Sequence, residues 1–243
     1  MNPHQRTLQD SHQRTLQAPH QRTLQLVQFS VMLAIEALFC FTPLGSLPAL
    51  GPIVATLGMV PVIITAILLG TRAGTLMGAF AGTFSFIVWT FMPPSPVVAF
   101  IFTPFYSFGE LSGNLGSLLI CFVPRILVGT VAGFAYGRLS KAMPSKTVLC
   151  ISLSAILGSL TNTFGVMGGI WLFFGAQYET IAGAAIMVIV ISTIVTSGIP
   201  EAIVSAVIGS AVCKPLFIVL GHRPETQMLR NAQKDVINNA SGF

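Results

Sequence analysis

Apolar residues in this chain come in long unbroken runs, with polar residues collected between them. Neither the strict alternation of a half-buried strand nor the narrow stripe of a soluble amphipathic helix prevails. A run of about 20 apolar residues matches the roughly 30 Å hydrocarbon core of a bilayer as a helix. On that measure the pattern predicts spans over 26–41, 54–69, 74–91, 115–136 and 148–174. Between them lie the Gly/Pro-rich stretch TPLGSLPALGPI, the turn GTRAG, the aromatic connection MPPSPVVAFIFTPFYSFGELSGN and the basic loop GRLSKAMPSK. Residues 181–212 are almost wholly apolar, and one helix of that length would reach about 48 Å. SGIP at 197–200 offers a break, because Gly and Pro interrupt helices. The last span is then expected over 200–220, with residues 181–197 as an apolar cap on the external side.

Charge fixes the span count. With six spans and both termini cytoplasmic, Arg6, Arg14, Arg22, Arg72, Arg138, Lys141, Lys146, Lys214, Arg223, Arg230 and Lys234 fall inside. That is eleven of the 12 basic residues, and the outside holds only Glu110 and Glu179. Seven spans would move the basic C-terminal segment outside and break this positive-inside asymmetry. The fold class is an all-α integral membrane protein of six transmembrane helices. Residues 1–25 form a polar tail, 26–220 the membrane domain and 221–243 a cytoplasmic tail.

Composition agrees. Charged residues make up 8% and mean hydropathy is +0.81, against about 25% charged residues in a soluble domain. Cys40, Cys121, Cys150 and Cys213 lie apart in apolar segments and read as small buried hydrophobes. HQRTLQ occurs three times, beginning at His4, His12 and His20. It lacks the apolar centre of a signal peptide and any further metal ligand, so it reads as a duplicated or added tail. No GxxxxGK, HExxH or GxSxG is present and no acidic metal cluster. An enzyme is not expected, nor are a cofactor or a nucleic-acid partner, and any uphill transport must draw its energy from another chain.

The chemistry that remains is inside the membrane. Arg125 sits in SLLICFVPRILVGTVAGF with no other charge between Glu110 and Arg138. A cation at membrane depth faces a partner, a polar cavity or a substrate. Glu36 in the first span, Asn162 with Thr161 and Thr163 in the fifth, and Glu201 after SGIP all fall in the outer half. Two readings stay open for Arg125: direct ligand contact, or an ion pair with Glu36 or Glu201. The threonines commonly bond their own helix backbone. Trp89 and Trp171 suit either an interface belt or a pocket wall. Glycines at 74, 78 and 82, and again at 129, 133 and 137, form small-residue ladders that let helices approach closely.

Four segments then carry a resemblance: VATLGMVPVIITAILLGTRAGTLMGAFAGTFSFI, FVPRILVGTVAGF, ILGSLTNTFGVMGGIWLFFG and SGIPEAIVSAVI. In this order they resemble the substrate-binding S component of energy-coupling factor (ECF) vitamin transporters, most closely its pantothenate-specific branch. The resemblance covers about residues 26–220. It implies six helices with both termini inside, a bacterial plasma-membrane location, and a complex with a transmembrane coupling subunit and two cytoplasmic ATPases. It also implies capture of the vitamin outside and release inside after the S component topples. The family's AxxxA contact with the coupling subunit is not kept strictly: Ser30 and Ala34 hold the spacing, with Ala37 close by. Substrate contacts are expected from Arg125, Asn162, Thr161, Thr163, Glu36, Glu201 and Trp89. The competing readings are an S component for riboflavin, folate or a thiamin precursor, and a self-sufficient ion-coupled carrier with Glu36 or Glu201 as proton relay.

Overall fold

The structure, a computed structural model, describes residues 23–42, 58–109, 111–182 and 186–219. The first two HQRTLQ repeats and the first half of the third, most of TPLGSLPALGPI, Glu110 and the 221–243 segment lie outside the described residues, while Thr23–Gln25, expected in the polar tail, belong to the first helix. The described chain is almost entirely helical: α1 Thr23–Phe41, α2 Met59–Leu69, α3 Thr71–Phe91, α4 Leu115–Ala142, α5 Thr147–Ala182, α6 Ile186–Thr193 and α7 Ile199–Val219. A 3-10 turn at Pro96–Ile101 and a two-residue antiparallel hairpin, β1 Ser107–Phe108 with β2 Leu111–Ser112, interrupt the helices between α3 and α4.

Local sequence sets these boundaries. Gly70 takes φ of 94°, a conformation glycine adopts without strain, and so turns α2 into α3 through a single residue. Asn114 caps α4: its Oδ1 accepts from the Gly116 N–H at 2.7 Å, and Ser117 Oγ accepts from the Asn114 N–H at 3.1 Å.

Five described helices are long and apolar enough to cross a bilayer, and α2 is a shorter apolar helix of 11 residues. Boundaries differ from expectation: α5 runs to Ala182, past the expected end at 174, and two further differences bear on the bundle. First, α4 runs on through Arg138 and Lys141 to Ala142, so the basic loop shrinks to a few residues before α5. Second, SGIP does not break the chain. Ile194–Gly198 is a π-turn, and Ile199 N–H bonds the Ile194 carbonyl five residues back. Pro200 has no N–H to give and its ring crowds the carbonyl four residues earlier. One extra residue in the turn accommodates both effects, and the helix continues from Val190 to Val219. Residues 190–197 are thus continuous with the last apolar helix, and SGIP does not divide them from it.

The glycine ladders pack α3 against α4. A Cβ on Gly74 would strike Ala66 and the Gly129 carbonyl; on Gly78, the Arg125 carbonyl; on Gly82, the Phe122 ring. The two backbones touch, so dispersion replaces the hydrophobic drive that lipid cannot supply. Gly137 meets nothing within 4 Å and takes no part in this packing.

Two apolar clusters fill the bundle. One gathers Ile63, Met77, Val128, Ala132, Ile151, Cys213 and Phe217, toward the end that carries Arg72, Arg138, Lys141, Lys146 and Lys214. The other gathers Phe100, Ile101, Phe102, Ile120, Val166, Ile170 and Phe174, beneath the α3–α4 connection. That connection is an inserted plug. Phe100 is fully buried, rings with Phe174 at 5.5 Å, and accepts a 2.7 Å bond from Ser117 Oγ at its carbonyl.

Candidate functional site

A polar layer separates the two clusters. Along α4, Arg125 lies between Ile120 and Val128; along α5, Ser159, Asn162 and Thr163 lie between Ala155 and Val166; Glu201 and Ser205 lie between Val190 and Cys213. Glu36 follows Met32 and Leu33 on α1. All of these side chains are buried, Glu36 completely. Among the described residues nine buried polar atoms lack a hydrogen-bond partner, and seven belong to this stretch: Glu36 Oε2, Arg125 Nε, Ser159 Oγ, Asn162 Oδ1, Thr193 Oγ1, Glu201 Oε1 and Ser205 Oγ. An unsatisfied buried group costs about 1–3 kcal/mol. Seven drawn from α1, α4, α5, α6 and α7 make this layer the candidate site for a polar ligand, since a structural core satisfies such groups internally.

Arg125 is 8% exposed and does not ion-pair with either glutamate. Glu36 Oε1 instead receives a 3.4 Å contact from Cys40 Sγ, and a Cβ on Gly58 would lie 3.9 Å from that oxygen. Both glutamates are nevertheless close enough to feel the Arg125 charge. Of the two readings open for the arginine, the ion pair is the one the geometry does not form. Its Nη1 donates to the Ile120 carbonyl at 2.8 Å. Its Cζ stands 5.4 Å from the Phe102 ring centroid, and Phe102 stacks on Trp89 at 4.5 Å. The guanidinium thus sits under an aromatic pair supplied by the plug and the end of α3.

The other expected residues divide. Asn162 and Thr163 are buried in the layer. Thr163 also packs under the π-turn, where a Cβ on Gly198 would collide with its Cγ2 at 2.8 Å. Thr161 is less enclosed and its hydroxyl bonds the Leu157 carbonyl at 2.7 Å, as helix threonines commonly do. Thr163 Oγ1 leans toward the Ser159 carbonyl at 3.4 Å. Trp89 is half-buried against Phe102, whereas Trp171 is 57% exposed on the bundle exterior. Ser30 and Ala34 lie on the exposed face of α1, and Ala37 is half-buried. Phe102, Ser159, Thr193 and Ser205 escaped the sequence reading. Phe102 is one of several aromatics in an apolar connection, and lone hydroxyls in apolar helices carry no distinguishing pattern. Among the described residues no group of three His, Cys, Asp or Glu side chains is arranged to hold a metal ion.

The fold has counterparts among known proteins. A solved structure of ThiT from Listeria monocytogenes aligns with a TM-score of 0.51 at 21% identity, covering 80% of this chain and 96% of that one. The pantothenic acid transporter PanT of Lactococcus lactis is 31% identical over 166 residues, which span 68% of this chain and 79% of that protein. The family described as "ECF transporter, substrate-specific component" matches residues 24–212, through all the helices that build the polar layer. The chain is a member of that family: a multi-pass membrane protein of the bacterial plasma membrane and the substrate-specific component of an ECF transporter.

Proposed function

We propose that this S component captures pantothenate, with the ligand carboxylate on Arg125. The observation that carries the reading is the buried, unpaired Nε of Arg125 amid a layer of unsatisfied polar atoms. Pantothenate brings one carboxylate, two hydroxyls, an amide and a geminal dimethyl group. Asn162, Thr163, Glu36 and Glu201 supply amide and oxygen partners, Thr161 stands at the margin, and Trp89 with Phe102 forms an apolar wall. The similarity to PanT supports the same ligand. Two carboxyl side chains beside one arginine favour a second reading, a cationic ligand such as thiamin. Folate has two carboxylates and would ask for a second cation, whereas Arg125 is the sole basic residue in the middle of the described bundle.

The proposed setting is the ECF complex. The five basic residues at one end of the described bundle mark the cytoplasmic side, with α2 contributing to a sixth span and both tails on that side. The exposed Ser30 and Ala34, with Ala37 beside them, let a helix of the coupling subunit approach α1 closely. Two partner ATPases supply the energy. Calorimetric titration of the purified chain with pantothenate, pantothenol, riboflavin and thiamin tests the ligand. Pantothenate should bind tightest, and tighter binding of thiamin moves the assignment to the glutamates. Uptake by this chain expressed without coupling and ATPase subunits should be negligible; robust uptake makes it a self-sufficient carrier.

A further inference from the structure

An α-helix ordinarily spends the carbonyl of residue i−4 on the N–H of residue i. At position 124 there is no N–H to spend, because Pro124 sits inside α4. The Ile120 carbonyl is left over in a buried place, and the next residue uses it: Arg125 Nη1 donates to it at 2.8 Å. A guanidinium offers two forks for a carboxylate. With Nη1 engaged, the fork that remains is the Nε–Nη2 edge, and Nε is buried with no partner. The Phe102 ring lies over the guanidinium, 5.4 Å from Cζ, and limits its rotation from above.

We infer that Pro124 is a positioning residue for substrate: by freeing the Ile120 carbonyl it clamps Nη1 and turns the Nε–Nη2 fork toward the ligand's carboxylate. The inference rests on the proposed contact between Arg125 and a carboxylate. Pro124 also has an ordinary packing role, since a Cβ on Gly165 would come within 3.0 Å of its ring. The test must separate the missing N–H from the ring.

Pro124→Ala restores the N–H and removes the ring. Replacing Pro124 with the α-hydroxy acid analogue of alanine puts an ester oxygen there: no ring and no N–H. Each purified chain is titrated with pantothenate and with its neutral alcohol pantothenol. Pro124→Ala should weaken pantothenate about tenfold, one charge-assisted hydrogen bond's worth of alignment, and leave pantothenol within about twofold. The ester variant should recover most of the pantothenate affinity. Equal losses in the two variants assign the effect to ring packing and overturn the inference, as does an unchanged pantothenate-to-pantothenol ratio in Pro124→Ala. The underlying ligand assignment fails separately, if the unaltered chain does not prefer pantothenate to pantothenol.

Discussion

Replacing Arg125 separates a ligand-binding arginine from one that holds helices together. Arg125 is 8% exposed, has one hydrogen bond to its own helix and one aromatic face above it, and has no carboxylate partner. A buried guanidinium that touches no carboxylate, and has Glu36 and Glu201 only at longer range, costs stability, and an apolar side chain of similar length removes that cost. Arg125→Met should therefore leave the thermal midpoint of the ligand-free protein unchanged or raise it. In binding, the same change removes a sheltered guanidinium–carboxylate contact that contributes about 2–4 kcal/mol. At roughly 1.4 kcal/mol per tenfold, pantothenate should bind about 30-fold to 1000-fold more weakly. Pantothenol has no carboxylate and should lose little. Arg125→Lys should recover only part, because an ammonium is a point charge that cannot offer the planar fork. The assays are calorimetric titration with both ligands and thermal unfolding in detergent with and without pantothenate. A destabilised ligand-free Arg125→Met with an unchanged pantothenate-to-pantothenol ratio refutes the reasoning and returns the arginine to helix pairing.

Gly78→Leu should cost about 3 kcal/mol, the upper end for overpacking, since its first side-chain atom meets the Arg125 carbonyl and backbone cannot step aside. Gly137→Leu, where nothing lies within 4 Å, is the matched control and should be near neutral in the same unfolding assay. Changing Ser30 and Ala34 together to Leu should abolish transport or assembly with the coupling subunit while calorimetry still finds normal pantothenate binding; intact transport removes α1 from that interface. A cysteine placed within 222–243 should resist an impermeant reagent applied outside intact cells, and its labelling overturns the six-span topology with cytoplasmic tails.

Much of this protein can be read without its structure, because a membrane imposes its rules locally. Length and polarity of a run decide whether it spans, so α1, α3, α4, α5 and the last span appear as apolar stretches. Burying a charge in lipid is costly enough that Arg125, Glu36 and Glu201 stand out against any apolar background. The glycine ladders likewise announce close approach, though only packing shows that Gly74 and Gly78 meet α4 of the same chain. What a linear pattern cannot contain is relative position. Glu36 and Glu201 are obvious partners for Arg125 on charge alone, yet neither pairs with it, because helix packing sets each side chain's angle and height. The SGIP break was a sound local inference that a π-turn defeats, since one extra residue lets Pro200 sit in a continuous helix. Phe102 joins the site only because the 96–103 segment folds back between helices. Which polar groups exist at membrane depth follows from the chain. Which of them converge, and which edge of Arg125 stays free, is decided by packing of elements distant in sequence.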